Sequence, residues 1–162
     1  MRLEILQGYR PGAIGRITEL HGSYYQKHTG FGVFFESRVA SELAEFVRRY
    51  DSSRDGMWLA LCDDQIEGSI IIDGAAASAA GAHLRWFIVS DAARGKGAGN
   101  QLMQAALDFC RQRHYPKIYL DTVAGLEAAR HLYEKYGFRL ISEQRGCQWG
   151  AEAVEQRFEC RL

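Results

Sequence analysis

The sequence is poor in the features that mark nucleic-acid-binding, membrane and secreted proteins. It carries 20 basic and 20 acidic side chains, so its formal net charge of +0 creates no overall field that attracts DNA or an anionic membrane. No uncharged apolar run approaches the roughly 20 residues that a membrane-spanning helix needs, and residues 1–4 lack the apolar core of a signal peptide. We therefore expect a cytoplasmic protein without nucleic-acid or membrane partners.

The sequence also lacks cysteine pairs with the spacing of a metal or redox site. Its four cysteines lie far apart and include no Cys-x-x-Cys pair, so we expect no metal, no disulfide framework and mostly buried, reduced thiols. The 162 residues have the size of one ordinary domain. We expect residues 1–162 to form it.

Hydrophobic periodicity predicts the element order β-α-α-β-β-β-α-β-α-β-β. Val39, Leu43 and Phe46 recur at helical spacing after Ser37, which we interpret as the helix cap. The early strands read as antiparallel hairpins, and the later ones alternate with helices. The sequence therefore predicts a mixed α/β (α+β) fold, with a central, mostly antiparallel sheet, a parallel βαβ core and helices on both faces.

A glycine-rich loop is the most informative segment. Residues 94–99, Arg-Gly-Lys-Gly-Ala-Gly, stand between a predicted strand at residues 84–89 and a helix that we expect to begin at Asn100. Glycines at alternate positions leave backbone N–H groups free to converge on an anion at the positive end of the helix. Arg94 and Lys96 add positive charge. The alternative is a strand-to-helix turn that binds nothing.

The spacing of these glycines argues against two kinds of nucleotide site. A Walker A loop needs four residues between its glycines and then Gly-Lys-Ser/Thr, which the segment lacks. A dinucleotide fingerprint needs Gly-x-Gly-x-x-Gly, and residues 95–99 do not fit it. Of the functions considered for this loop, nucleotide binding therefore has the least support from the sequence.

Two segments in this order resemble the GNAT acetyltransferase superfamily. Arg94, Gly97 and Gly99 match the Arg-x-x-Gly-x-Gly pattern of its acetyl-CoA loop. Residues 128–138 are similar to its A-x-x-L-Y-x-x-x-G-F segment, which lies one strand further on. The sequence departs from the pattern at Leu126, where many members carry asparagine.

The resemblance implies acetyl-CoA as the cofactor and a strand before the loop that bulges and offers an N–H group to the thioester oxygen. It implies that acetyl-CoA is bound by Phe87, Ile88, Val89, Arg94, Gly95, Lys96, Gly97, Ala98, Gly99, Asn100, Ala129, Leu132 and Tyr133. A tyrosine of pKa about 10 is well matched to a leaving thiolate whose thiol pKa is about 8.5 or somewhat higher. We therefore assign Tyr133 as the general acid.

The sequence offers several candidates for the general base, the residue that removes a proton from the amine. Glu36, near the start of the second helix, is our assigned catalytic base, with His21, His83 or a water chain through Asp121 or Glu143 as alternatives. Deprotonating an amine of pKa about 10.4 at pH 7 costs roughly 4.6 kcal/mol, against about 1 kcal/mol for an α-amine near 7.7. An α-amine acceptor needs no strong base.

Aromatic residues and Arg85 are candidates for the acceptor site. Arg85 is able to meet a substrate carboxylate, although an exposed strand arginine is the simpler reading. A set of aromatic side chains is expected to line an amine pocket or a dimer contact: Tyr24, Tyr25, Phe31, Phe34, Phe35 and Trp149. We also expect the edge of a last strand, residues 154–162, to be available for pairing in a homodimer, with a monomer as the alternative.

The sequence thus predicts an acetyl-CoA-dependent N-acetyltransferase acting on a primary amine of a small molecule or peptide, by direct attack in a ternary complex. The alternative is a catalytically silent acyl-CoA-binding sensor or interaction module. More narrowly, the chain resembles acetyltransferase domains that elsewhere follow a MarR-type DNA-binding domain, and the sequence contains no such DNA-binding half.

Overall fold

The structure, a computed structural model, describes residues 2–162 and has the predicted order of elements. The strands are β1 (Leu3–Gln7), β2 (Gly56–Cys62), β3 (Gln65–Asp73), β4 (Ala82–Val89), β5 (Lys117–Val123), β6 (Arg139–Gly146) and β7 (Ala153–Arg161). The helices are α1 (Ala13–Thr29), α2 (Val33–Arg48), α3 (Ala98–Gln112) and α4 (Glu127–Lys135). No helix within residues 2–162 is long and apolar enough to cross a membrane.

The strands form one seven-stranded sheet in the order β1-β2-β3-β4-β5-β7-β6. β4 and β5 are parallel, and all other neighbouring strands are antiparallel. The predicted mixed sheet with a parallel βαβ core is therefore confirmed. The edges are β1 and β6. β7 lies between β5 and β6, so the expectation that its edge is open for a partner is wrong.

Both faces of the central strands are buried. Along β3, Ile70 and Ile72 pack with α3 residues such as Leu102 in one apolar cluster, whereas Ile71 packs with Leu43 of α2 in another. Successive strand residues point to opposite faces. This explains why β2 and β3 read as continuous apolar runs, and it places α3 on one face and α1 and α2 on the other.

Two helices begin earlier than the sequence predicts. α2 begins at Val33, so Ser37 lies within the helix and does not cap it. Phe35 is buried like Val39, which extends the inward-facing row by one turn. α3 begins at Ala98, directly after Gly97, whose φ of 82° and ψ of 6° form the turn that opens the helix.

A bulge in β4 shapes the centre of the sheet. The pairing of β3 with β4 shifts between Ser69 and Ile71, and Trp86 has a φ of 45°, a conformation that is costly for a bulky residue. The Ser69 hydroxyl donates a hydrogen bond of 2.6 Å to the Trp86 carbonyl. Ser69 is fully buried, so this bond holds the bulge from the neighbouring strand. The bulge that the resemblance implies is confirmed.

We expect the substitution Ser69→Ala to lower the free energy of unfolding by about 1–3 kcal/mol, because it leaves the Trp86 carbonyl without its buried donor. Urea denaturation measures the change. Ser41→Ala, at an exposed position of α2, is the control and is expected to stay within about 0.5 kcal/mol of the unsubstituted protein. Equal stability of the two variants would show that the hydroxyl does not support the bulge.

Candidate active site

The candidate site lies where β4 and β5 separate. Within residues 2–162 the two strands pair only near their starts, at Ala82 with Ile118 and at His83 with Tyr119. Beyond these pairs the sheet opens around the β4 bulge. Two cavities occupy the opening, and we name them the loop cavity and the histidine cavity.

The loop cavity is bounded by the end of β4, the glycine-rich loop and α4. Its lining includes most of the loop together with one face of α4: Phe87, Ile88, Val89, Arg94, Gly95, Gly97, Ala98, Gly99, Asn100, Leu126, Ala128, Ala129, Leu132 and Tyr133. Ala93 of the preceding turn and Tyr24 and Tyr25 of α1 complete the wall.

The first turn of α3 offers unpaired N–H donors to this cavity. The first intrahelical bond runs from the Gln101 N–H to the Gly97 carbonyl, so the N–H groups of Ala98, Gly99 and Asn100 have no partner within the helix. Within the described chain this turn has no acidic residue and no side-chain cap. The positive end of the helix is therefore available to an anion.

Asn100 connects the loop to α4. Its Oδ1 accepts hydrogen bonds from Lys135 Nζ at 2.7 Å and from the Tyr136 hydroxyl at 2.9 Å. Gly99 lies so close to Leu132 that a Cβ on it would be 3.3 Å from Leu132 Cδ2. The start of α3 and the body of α4 therefore approach closely, and the absence of a side chain at Gly99 permits it.

Tyr133 of α4 stands between the two cavities. Its ring lies among Phe87, Phe138 and Phe158, with ring centroids 5.8–6.2 Å away. Burial raises the pKa of its phenol well above the usual value, and neighbouring Tyr25 and Tyr24 add to the rise. The hydroxyl is therefore protonated at neutral pH and can donate a hydrogen bond, but the raised pKa makes it a weaker acid than a free tyrosine, so the match to the thiol pKa expected from the sequence does not hold for the buried phenol.

The histidine cavity lies between α1, α2, residues 83–87 of β4 and the second half of β5. Polar and aromatic side chains share its wall: His21, Tyr25, Phe35, Arg38, Val39, Glu42, His83, Leu84, Arg85, Trp86, Phe87, Leu120, Asp121, Thr122, Val123, Tyr133, Gln148 and Trp149. Tyr25, Phe87 and Tyr133 line both cavities. The two cavities therefore meet at these three rings.

His83 is a neutral imidazole in the wall of the histidine cavity. Burial lowers its pKa to about 4, with a further contribution from the positive charge of Arg85. Its Nε2 lies 3.8 Å from Asp121 Oδ2, and its ring stacks on Tyr119 at 4.3 Å. Arg157 binds the same aspartate with two hydrogen bonds of 2.8 and 3.1 Å, which neutralises the carboxylate.

His21 is a second neutral imidazole, one turn before Tyr25 on α1. Its Nδ1 lies 2.8 Å from the Ile17 carbonyl. A carbonyl only accepts, so Nδ1 carries the proton and Nε2 is an acceptor. Burial lowers the pKa of His21 to about 4.

Three charged residues form an ion-pair network in the same wall. Glu42 of α2 accepts hydrogen bonds from Arg38, at 2.6 Å, and from Arg85 of β4. Burial acts to raise the pKa of Glu42, but the two guanidinium groups outweigh it and the pKa is lowered. Arg38 also donates to the Gln148 carbonyl, which ties the loop between β6 and β7 to α2.

The structure brings together nearly all residues expected to bind acetyl-CoA. Each of them lines the loop cavity except Lys96, which is exposed in the loop. Their contact with acetyl-CoA stays a prediction.

The structure places three of the candidate bases in the histidine cavity and two outside both cavities. Glu36 is exposed and lines neither cavity, because its side chain packs over Gly22 of α1, where an added Cβ would be 2.7 Å from Glu36 Oε1. Glu143 accepts a hydrogen bond from Gln156 and also lies outside both. His21, His83 and Asp121 line the histidine cavity.

Sequence reasoning missed Arg38, Glu42 and Gln148. The first two were detectable in principle, since they are four residues apart on the same side of α2 as Phe35 and Val39, and all four line the cavity. No local pattern marks Gln148, whose place depends on how the loop between β6 and β7 folds over α2. Tyr24, expected in an amine pocket, lines the loop cavity.

Residues 16–138 match the family described as the acetyltransferase (GNAT) family. The chain belongs to this family. It is 29% identical over 110 residues to the uncharacterized N-acetyltransferase YjgM of Escherichia coli (strain K12), and the match covers 65% of this chain and 64% of that protein. The chain therefore spans less than two thirds of this relative's length.

Two solved structures share the GNAT fold. A GNAT-family acetyltransferase of Staphylococcus aureus Mu50 has a TM-score of 0.75 at 19% identity, with 99% of each chain covered. An acetyltransferase of Bacillus anthracis str. Ames, in complex with acetyl coenzyme A, has a TM-score of 0.60 at 22% identity over 74% of this chain and 67% of that one.

The lowered pKa of His21 predicts a pH-dependent stability for this GNAT protein. Between pH 6.5 and 4 the unfolded chain binds a proton at His21 that the folded protein does not, so stability falls as the pH drops. We expect the unsubstituted protein to lose about 2 kcal/mol more than His21→Gln between pH 7 and pH 4.5. Urea denaturation at both pH values measures this.

His131→Gln is the control for this experiment because His131 is exposed on α4. We expect it to keep the full pH dependence. The same pH dependence in His21→Gln as in the unsubstituted protein would contradict the buried, neutral state of His21.

Proposed function

We propose that the protein is an acetyl-CoA-dependent N-acetyltransferase that transfers the acetyl group to a primary amine of a small molecule or peptide. The transfer occurs by direct attack in a ternary complex, and residues 1–162 form the single catalytic domain. The observation that carries this proposal is the meeting of the two cavities at Tyr25, Phe87 and Tyr133. Donor and acceptor are then able to enter from opposite sides and meet at one point.

The loop cavity fits the pyrophosphate and pantetheine of acetyl-CoA. The free N–H groups of Ala98, Gly99 and Asn100 suit an anion, and Arg94, which also forms an exposed ion pair of 3.0 Å with Asp91, places a guanidinium group beside them. Apolar side chains of β4 and α4, including Val89 and Leu132, continue the wall towards Tyr133. The cofactor supplies an activated acetyl group as a thioester, and these residues orient it.

The β4 bulge supplies a donor for the reaction. A shift of pairing between Ser69 and Ile71 takes the backbone near Trp86 and Phe87 out of the regular ladder. An N–H group at this bulge donates to the oxygen that gains negative charge when the amine attacks. The Ser69 bond keeps this donor fixed before the substrate arrives.

Tyr133 acts as the general acid. Its hydroxyl carries a proton at neutral pH, and its position between the cavities suits contact with the leaving sulfur. The phenol donates this proton to the sulfur as the thiolate leaves.

His83 takes the proton from the attacking amine. Its pKa of about 4 keeps the imidazole unprotonated at neutral pH, and the amine becomes a stronger acid as it adds to the carbonyl, so a weak base suffices. The His83 side chain is 24% exposed, whereas His21 is only 5% exposed. His83 is therefore the imidazole that can pass the proton on to water. Glu36, outside both cavities, receives no role in this proposal.

The narrower likeness to acetyltransferase domains that follow MarR-type regulators remains a proposal. The late segment of the sequence, with Trp149-Gly150 and Glu155-Gln156, extends the superfamily resemblance beyond Phe138.

We expect Gly97→Ala to raise the Kd of acetyl-CoA at least about 10-fold. Gly97 has a φ of 82°, which costs an alanine roughly 1–2 kcal/mol, and relaxation of this strain would move the N–H groups that follow. Calorimetric titration measures the Kd. Gly15→Ala is the control, since Gly15 is helical and a Cβ there has nothing within 4 Å. An unchanged Kd in Gly97→Ala would contradict the role of the loop.

We expect Tyr133→Phe to lower kcat by about 100-fold or more, because general acid catalysis contributes on this scale, and to leave the Kd of acetyl-CoA within about threefold. Release of the CoA thiol across a panel of amines measures kcat. Tyr9→Phe, at an exposed tyrosine, is the control. If acetyl-CoA raises the melting temperature and no amine releases thiol with the unsubstituted protein, the sensor alternative replaces this proposal.

A further inference from the structure

The histidine cavity holds an arginine pair whose positive charge is only partly neutralised. Arg38 and Arg85 both line the cavity, and both donate to the single carboxylate of Glu42. The other carboxylate near Arg85 belongs to Asp73, at 3.6 Å. Arg49 already binds that aspartate with two hydrogen bonds of 2.6 and 3.3 Å. Two guanidinium groups therefore share one carboxylate that is not otherwise paired.

The opposite wall of the cavity does not offset this charge. Asp121 is the second carboxylate in the lining, and Arg157 neutralises it from outside the cavity. Burial lowers the pKa of both lining histidines to about 4, so they are neutral at pH 7. The ionised groups that themselves line the cavity, counted with their ion-pair partners, leave one positive charge at the arginine pair. Glu155, which accepts two hydrogen bonds from Gln148, lies outside this lining.

The arginine pair also retains unused donors. A guanidinium has five N–H groups. Within residues 2–162, Arg38 uses Nε for Glu42 and Nη1 for Gln148, and Arg85 uses Nη2 for Glu42. The remaining N–H groups are available for a bidentate contact with a planar anion.

Arg85 is held close to the reacting end of the cavity. Its guanidinium carbon lies 4.0 Å from the centroid of the Trp86 ring, and Trp86 is the residue of the β4 bulge. Phe87, two residues beyond Arg85, lines both cavities. Arg85 and Phe87 are two residues apart on β4, which is roughly 7 Å along a strand. An anion bound to Arg85 is therefore near the point where the two cavities meet.

We propose that the acceptor is a small amine that also carries a carboxylate, as in an amino acid, and that Arg38 and Arg85 bind this carboxylate. Phe35, Val39 and Trp149 in the same lining favour an apolar side chain on the acceptor. This inference rests on the proposed function, because it names the substrate class for the same site. The two guanidinium groups position the acceptor, so that its amine reaches the β4 bulge.

The test compares each acid with its own primary amide. The probes are glycine, methionine, leucine and phenylalanine, each as the free amino acid and as the amide, with release of the CoA thiol as the readout. The amide has the less basic amine, so more of it is free base at pH 7 and simple reactivity favours it. We expect the reverse order for at least one pair, with kcat/KM at least about 10-fold higher for the acid.

Arg38→Gln identifies the residue responsible. We expect it to raise the KM of the acid at least about 10-fold, to leave its kcat within about threefold, and to bring the ratio of kcat/KM for the acid to kcat/KM for the amide down by about the same factor. Arg48→Gln, the same substitution at an exposed arginine of α2, is expected to keep the preference for the acid. Equal kcat/KM for acids and amides, or transfer only to amines without a carboxylate, overturns the inference.

A binding experiment separates failure of this inference from failure of the proposed function. N-acetylmethionine and N-acetylmethionine amide are each added to the CoA-loaded protein, and the melting temperature is measured. We expect stabilisation by the acid alone, and loss of this stabilisation in Arg38→Gln. This result supports the carboxylate site even if no amine is acetylated, whereas equal shifts, or no shift with either compound, overturn it.

Discussion

The structure depends on the separation of β4 from β5. Two adjacent parallel strands ordinarily continue their hydrogen bonds along their length, whereas β4 and β5, in the chain from residue 2 onward, pair only at Ala82 and His83 before they diverge. The bulge at Trp86, with its φ of 45° and its support from Ser69, turns β4 at the point of divergence. Both cavities and all the residues that we assign to catalysis lie around this opening.

The two sides of the opening differ in the polar groups that they present. On the loop side, glycines and the first turn of α3 present N–H groups, and the bond between Asn100 and Lys135 of α4 braces the cavity. On the histidine side, α1 and α2 contribute charged and aromatic groups. A backbone surface suits a donor common to the family, and a side-chain surface allows each member its own acceptor.

The sequence predicted the element order and the mixed sheet because each element has its own local signal. The sequence signals that mark where a helix begins and which strand lies at the edge of the sheet were weaker. Ser37 looked like a cap, but Phe35 continues the buried row and α2 begins at Val33. The last strand looked like an edge, but strand order is set by pairing across the sheet, and β7 inserts between β5 and β6. Neither result can be read from neighbouring residues.

The sequence by itself determined the glycine-rich turn before α3 and the inward position of Tyr133 on α4, because both depend on glycine positions and helical spacing over a few residues. Only the tertiary structure decided which charged groups of α2 face the histidine cavity. Glu36, Arg38 and Glu42 lie on one helix, yet only Arg38 and Glu42 line the cavity. The packing of α2 against α1 and β4 decides this, and such long-range contacts have no local signature in the sequence.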